Sequence, residues 1–161
     1  MNMLSRGRAK SVVGGASMEP IIFFDGVCGL CTRFVYFVLE RDGDEFFRFS
    51  SLQSAFAKEV LERYGRDTKN IDTVYVLLGQ GSSEERLLSR SDASLWVLGH
   101  LGGIWRFFFW ARFVPKPFRD FIYDRLAQNR YGLFGQMDVC HVPQPQWQER
   151  FVENGTAQAS D

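Results

Sequence analysis

Two cysteines, Cys28 and Cys31 in the segment Asp25-Gly-Val-Cys-Gly-Leu-Cys31, have the residue type and spacing to do chemistry. At the start of a helix, residues three apart share one face, and their separation there is compatible with a disulfide. The first amides of a helix have no internal partners and lie at the positive end of its dipole, where a thiolate is favoured over a thiol. Cys28, at the junction, feels this more than Cys31, one turn further in. The expected roles follow from position: Cys28 is the exposed nucleophile, and Cys31 the sheltered thiol that resolves a mixed disulfide. Gly29 allows a partner backbone to come close. The expected substrate-contacting positions in this loop are Gly26, Val27, Gly29 and Leu30.

Asp25 has two roles open to it. It can cap the turn by accepting backbone N–H bonds, or exchange protons with Cys31 during resolution. A bare carboxylate beside Cys28 would raise the thiol's pKa and oppose the dipole.

Two other chemistries compete. A structural zinc site needs four donors, and the chain offers Cys28, Cys31, Cys140 and His141, with His100 distant. Adjacent Cys140 and His141 make an awkward chelating pair, and there is no second C-x-x-C, so zinc or purely structural cysteines are the runner-up reading. Ile21 to Val27 also resembles the first motif of haloacid-dehalogenase-type phosphatases. That motif needs an aspartate two residues before Asp25, where Phe23 stands. Without a carboxylate nucleophile, such phosphoryl transfer loses its central residue.

The elements that must position the thiols can be read outward from them. Pro20 to Phe24 is a short, continuously apolar run, which suits a central strand buried on both faces. From Gly29 the period changes to that of a helix reaching about Arg41, stopped by Asp42-Gly43-Asp44. Glu45 to Phe49 reads as a second strand. Ser50 or Ser51 is the expected cap of a second helix through about Tyr64, with Gly65 as its stop. Ile71 to Leu78 is the clearest strand, and Gly79 to Ser83 turns it toward an antiparallel partner at Glu85 to Ser89. Ser91 is the expected cap of a helix beginning at Asp92. Gly102-Gly103 breaks it, an aromatic helix follows to about Val114, and a last helix runs from about Phe118 to Gln128.

At 161 residues with 45% hydrophobic composition, the chain suits one domain with a proper core. The expected layout is a basic extension at 1–18, a domain at 19–153 and a polar tail at 154–161. Net charge is zero and the arginines are dispersed among acids, so no nucleic-acid partner is expected. Three cysteines are no dense secreted disulfide framework. The expected compartment is cytoplasmic, or organellar if residues 1–17 act as a presequence; Met18, just before the first strand, leaves that segment a dispensable extension or a mis-assigned start. Leu95 to Val114 is apolar but interrupted by His100, Arg106 and Arg112. It is expected to form buried helices, and membrane contact is not expected.

Several motifs in one order resemble the DCC family of predicted thiol–disulfide oxidoreductases. They are Asp25-x-x-Cys28-x-x-Cys31; Ser91-Asp-Ala93; Pro115 to Tyr123 with Arg119-Asp120; Asn129 to Gly135; Cys140-His-Val-Pro143; and Arg150-Phe151. The resemblance covers roughly residues 20–152. It implies an α/β thioredoxin-like fold, a central mixed sheet flanked by helices with extra aromatic helices toward the C-terminus. It also implies disulfide exchange with protein or low-molecular-weight thiol partners, with no bound cofactor. Ordinary thioredoxins differ in carrying Trp before the first cysteine, where Val27 stands here, and a cis-proline facing the dithiol. No proline occurs from Ile71 to Val74, and Thr73 is the expected dithiol-facing residue. Cys140 is an accessory candidate, as a second resolving thiol, a mixed-disulfide partner or a small buried residue. Arg130 and Tyr131 either line the cleft or anchor the closing segment. An interaction module with structural cysteines and an aromatic docking surface is the competing class.

Overall fold

A computed structural model describes residues 19–67, 73–135 and 145–152. The expected extension, tail, Cys140 and His141 lie outside those residues. Four strands form one sheet in the order β2-β1-β3-β4: β1 Ile21–Phe24, β2 Arg48–Ser51, β3 Tyr75–Leu78 and β4 Arg86–Ser89. β1 pairs parallel with β2, as the intervening helix α1 (Gly29–Arg41) requires; β3 runs antiparallel to both β1 and β4. This is the expected thioredoxin-like α/β arrangement.

The alternation of β1 assigns the layers. Ile22 and Phe24 face a cluster with Val35 and Val38 of α1 and Ala93 and Val97 of α3 (Arg90–His100). Ile21 and Phe23 face the opposite cluster, built on Phe56, Val60 and Leu61 of α2 (Ala55–Arg63). Both faces of β1 are buried, which is why its sequence is apolar at every position.

β1 and α1 fall where the sequence places them, and β4 nearly so. β2 does not: it begins three residues later than Glu45. Glu45 adopts φ 51°, and the N–H groups of Phe46 and Phe47 donate to the Asp42 carboxylate at 3.1 and 2.9 Å. Those residues are held in a turn, so pairing starts at Arg48. With β2 running to Ser51, the α2 cap falls to Ser54, whose Oγ accepts from Ala57 N at 3.0 Å, instead of Ser50 or Ser51. α3 likewise starts before Ser91, which is not its cap. The expected strand from Ile71 is paired from Tyr75 onward, and residues 71–72 lie outside the described set.

The C-terminal helices depart further. Gly103–Phe113 is a 3-10 helix and α4 spans Lys116–Phe134, longer at both ends than expected. Pro117 is accommodated in its first turn, where no helical N–H bond is lost. The expectation of burial for the aromatic segment fails: Ile104, Phe107, Trp110 and Phe113 are exposed. A second 3-10 helix, Pro145–Arg150, leads into a parallel bridge between Phe151 and Phe49.

Candidate functional site

The dithiol sits where β1 ends. Phe24 leads into a turn in which Cys28 N donates to Asp25 O at 3.2 Å, and Cys28 becomes the N-cap of α1. The Cys28 Sγ accepts the N–H of Cys31 at 3.5 Å, and Thr32 N closes the first helical bond on Cys28 O at 3.0 Å. One of the unpartnered helix-start donors is thereby aimed at sulfur.

Burial corrects one expectation. Cys28 is 0% exposed and Cys31 5%. The nucleophile assigned as exposed is therefore enclosed, because an N-cap side chain folds back over the first turn. Here that turn packs into the cluster of Phe24, Val35 and Phe151. Gly26 and Gly29 are buried as well; of the expected contact positions, Val27, Leu30 and Thr73 are partly accessible.

The Asp25 carboxylate is engaged with the turn. Its Oδ1 accepts from Val27 N at 3.1 Å and from Gln53 Nε2 at 2.9 Å. Gln53 Oε1 in turn accepts from Gly26 N at 3.3 Å and from the Ser51 hydroxyl. Gln53 thus bridges the dithiol loop to the end of β2, and sequence reading missed it. The signal was weak: only the parallel register, which pairs Phe24 with Ser51, brings Gln53 level with Gly26. Beside the dithiol, the Thr32 hydroxyl is buried with no hydrogen-bond partner among the described residues.

Thr73 lies at the same end of the sheet. The antiparallel register pairs Phe23 with Tyr75, and continued by two residues it sets Thr73 opposite Asp25. The next residue is anchored: Val74 N donates to the Tyr123 hydroxyl at 3.0 Å. Tyr123 belongs to the stretch that also supplies Arg119 and Asp120. Ser91 bonds Asp120, while Arg119 Nη1 donates to Ser91 Oγ at 3.5 Å and to Asp92 Oδ1 at 3.2 Å, and Lys116 pairs with Asp92. Two motifs read separately in the sequence therefore meet as one network joining α3, α4 and the entry to β3. Partial burial pushes the Asp92 carboxyl up, but Lys116 and Arg119 outweigh it and hold the group below the usual carboxylate range.

The closing motif is fastened to the same core. Arg150 is buried, paired with Asp42, and donates to Phe47 O from Nε at 3.3 Å and Nη2 at 3.1 Å. Desolvation lowers the Arg150 pKa, against the pull of Asp42. Phe151 meets Phe49 at 5.5 Å and Phe24 at 6.1 Å between ring centroids, so this segment backs the strand end that carries the dithiol. Arg130 and Tyr131 fall on α4, but their side chains, like all of Cys140, lie outside the described residues. Among the described residues no group of His, Cys, Asp and Glu is arranged to hold a metal. The His100 ring meets Trp96 in a tilted contact at 3.9 Å and stacks on Phe46 at 5.8 Å.

A family model described as DCC1-like thiol-disulfide oxidoreductase matches residues 22–136, which include the dithiol turn and the network of α3 and α4. The chain belongs to this family. It is 38% identical over 132 residues to an uncharacterized protein of Bacillus subtilis (strain 168), YuxK, covering 82% of this chain and 93% of that protein. It is 36% identical over 125 residues to the chloroplastic DCC family protein At1g52590 of Arabidopsis thaliana, covering 77% of this chain and 70% of that one. No solved structure matches it. The family supports a thiol–disulfide redox role in general terms.

Proposed function

We propose that Cys28 and Cys31 exchange a dithiol for a disulfide with protein or low-molecular-weight partners. The observation that carries this reading is the Cys31 N–H directed at Cys28 Sγ from the first turn of α1. In the oxidative half-reaction, the Cys28 thiolate attacks a partner disulfide and releases one partner thiolate. The Cys31 thiolate then attacks Cys28 Sγ and releases the second. The partner gains two electrons, and the protein gains one disulfide and gives up two protons. Because Cys28 is enclosed, attack requires a local opening of the dithiol turn, and exchange is gated by that opening. Asp25 keeps the turn shaped for closure.

The enclosure of Cys28 also favours a second reading, a structural pair inside an interaction module. Cys31→Ser incubated with oxidised glutathione separates the two. The redox reading predicts a mixed disulfide at Cys28, found by mass spectrometry of the folded protein, and none at either position in Cys28→Ser. A structural pair predicts adducts only after unfolding.

A further inference from the structure

A 3-10 helix repeats every three residues, so side chains at i and i+3 eclipse, and Gly103–Phe113 is wound this way along its whole length. The period sorts the segment into stripes. Trp105 faces the domain, meeting Phe37 of α1 edge-on at 4.6 Å, while Phe108, stacked on Trp105 at 5.9 Å, is still 48% exposed. Ile104, Phe107, Trp110 and Phe113 form the outward stripe, exposed by 73, 79, 67 and 76%. At about 2.0 Å of rise per residue the stripe is roughly 18 Å long. Arg106 and Arg112 are exposed on a third line beside it. From Leu101 to Phe118 the chain holds no acidic residue.

We infer that this stripe is a peripheral anchor for a bilayer surface bearing anionic headgroups. The rings enter the boundary between headgroups and acyl chains, while Arg106 and Arg112 meet phosphate and carboxylate oxygens. Eleven residues fall well short of the roughly 20 needed to span a bilayer, so the segment lies along the surface. Charge complementarity selects this occupant over a second copy. Two stripes laid face to face would bring the same arginines together with no acid in either stripe to receive them. The expectation of no membrane contact rested on the charges that interrupt a span and on burial of these rings; exposure of the rings removes the second ground, and a segment lying along the surface does not meet the first.

Flotation of the full chain with vesicles of phosphatidylcholine and phosphatidylserine, in a roughly three-to-one ratio, tests the anchor against phosphatidylcholine alone. The full chain is expected to float with the anionic vesicles, and raised salt to weaken this. Phe107→Ser with Trp110→Ser abolishes flotation, and Arg106→Gln with Arg112→Gln weakens it about thirtyfold, at about 1 kcal/mol per arginine. If the ring variant fails to fold, the arginine variant carries the test alone. Cys28→Ser floats like the parent chain, which keeps this result separate from the dithiol reading. No flotation, equal binding to neutral vesicles, or self-association in sedimentation that the ring variant abolishes would each overturn the proposal.

Discussion

Gln53 donates to the Asp25 carboxylate at 2.9 Å and accepts the Gly26 N–H at 3.3 Å, closing a bridge between the loop after β2 and the loop that carries the dithiol. The two loops meet because β1 and β2 are parallel, so both chains leave the sheet at the same end. The shape of the Cys28 turn therefore depends on a residue outside the family motifs read in the sequence.

Gln53→Ala is expected to loosen that turn. Three hydrogen bonds at a partly exposed site are lost, for about 1 kcal/mol of stability. The larger effect falls on gating: thiol labelling of native protein at Cys28 should accelerate several-fold more than the drop in global stability explains. Stopped-flow labelling paired with denaturant unfolding measures both quantities.

The Arg150–Asp42 pair gives a stability test of a different kind. Arg150→Ala leaves the Asp42 carboxylate buried without its cation, which costs about 3–5 kcal/mol. Arg150→Met with Asp42→Asn removes both charges and should recover much of that loss. Equal destabilisation in the single and double variants would contradict the role given to the pair.

Asp92 sets an acid limit. A carboxyl held low in the folded state adds stability above its unfolded value of about 3.9 and loses it as pH falls through the lower folded value. The stability gap between the parent chain and Asp92→Asn should hold steady from neutral pH to about 5, then close progressively below about 4. Denaturant unfolding across that range reads it directly. The group is partly solvated, so the gap should be modest.

Thr32 is the counter-example among buried polar groups, since its hydroxyl has no hydrogen-bond partner among the described residues. Thr32→Val keeps the shape and removes the unsatisfied group, and should stabilise the protein by up to about 1 kcal/mol in denaturant unfolding.

The sequence was most legible where one local rule acted alone. The continuous apolar run at β1 and the periodic run of α1 ended by Asp42-Gly43 are such places, and both elements appear at the expected boundaries. It misled where a side chain served a distant partner. Asp42 reads as a helix stop, yet its carboxylate holds Phe46 and Phe47 out of β2 and receives Arg150 from far along the chain. Ser91 reads as a cap, yet its hydroxyl bonds Asp120 of α4. The cysteines were identifiable from type and spacing, but the enclosure of Cys28 was not, because it depends on Phe24 and Phe151 meeting across the fold. The aromatic segment was misread because a period of three, unlike 3.6, lines rings up on one outward face.

The most direct test of the dithiol is equilibration of the folded protein in graded glutathione buffers, with mass-spectrometric thiol counting at each step. A reversible two-electron transition, retained in Cys140→Ser and lost in both Cys28→Ser and Cys31→Ser, is the predicted result. Absence of any transition, with both thiols inert until the fold is opened, would contradict the redox assignment and leave a structural pair.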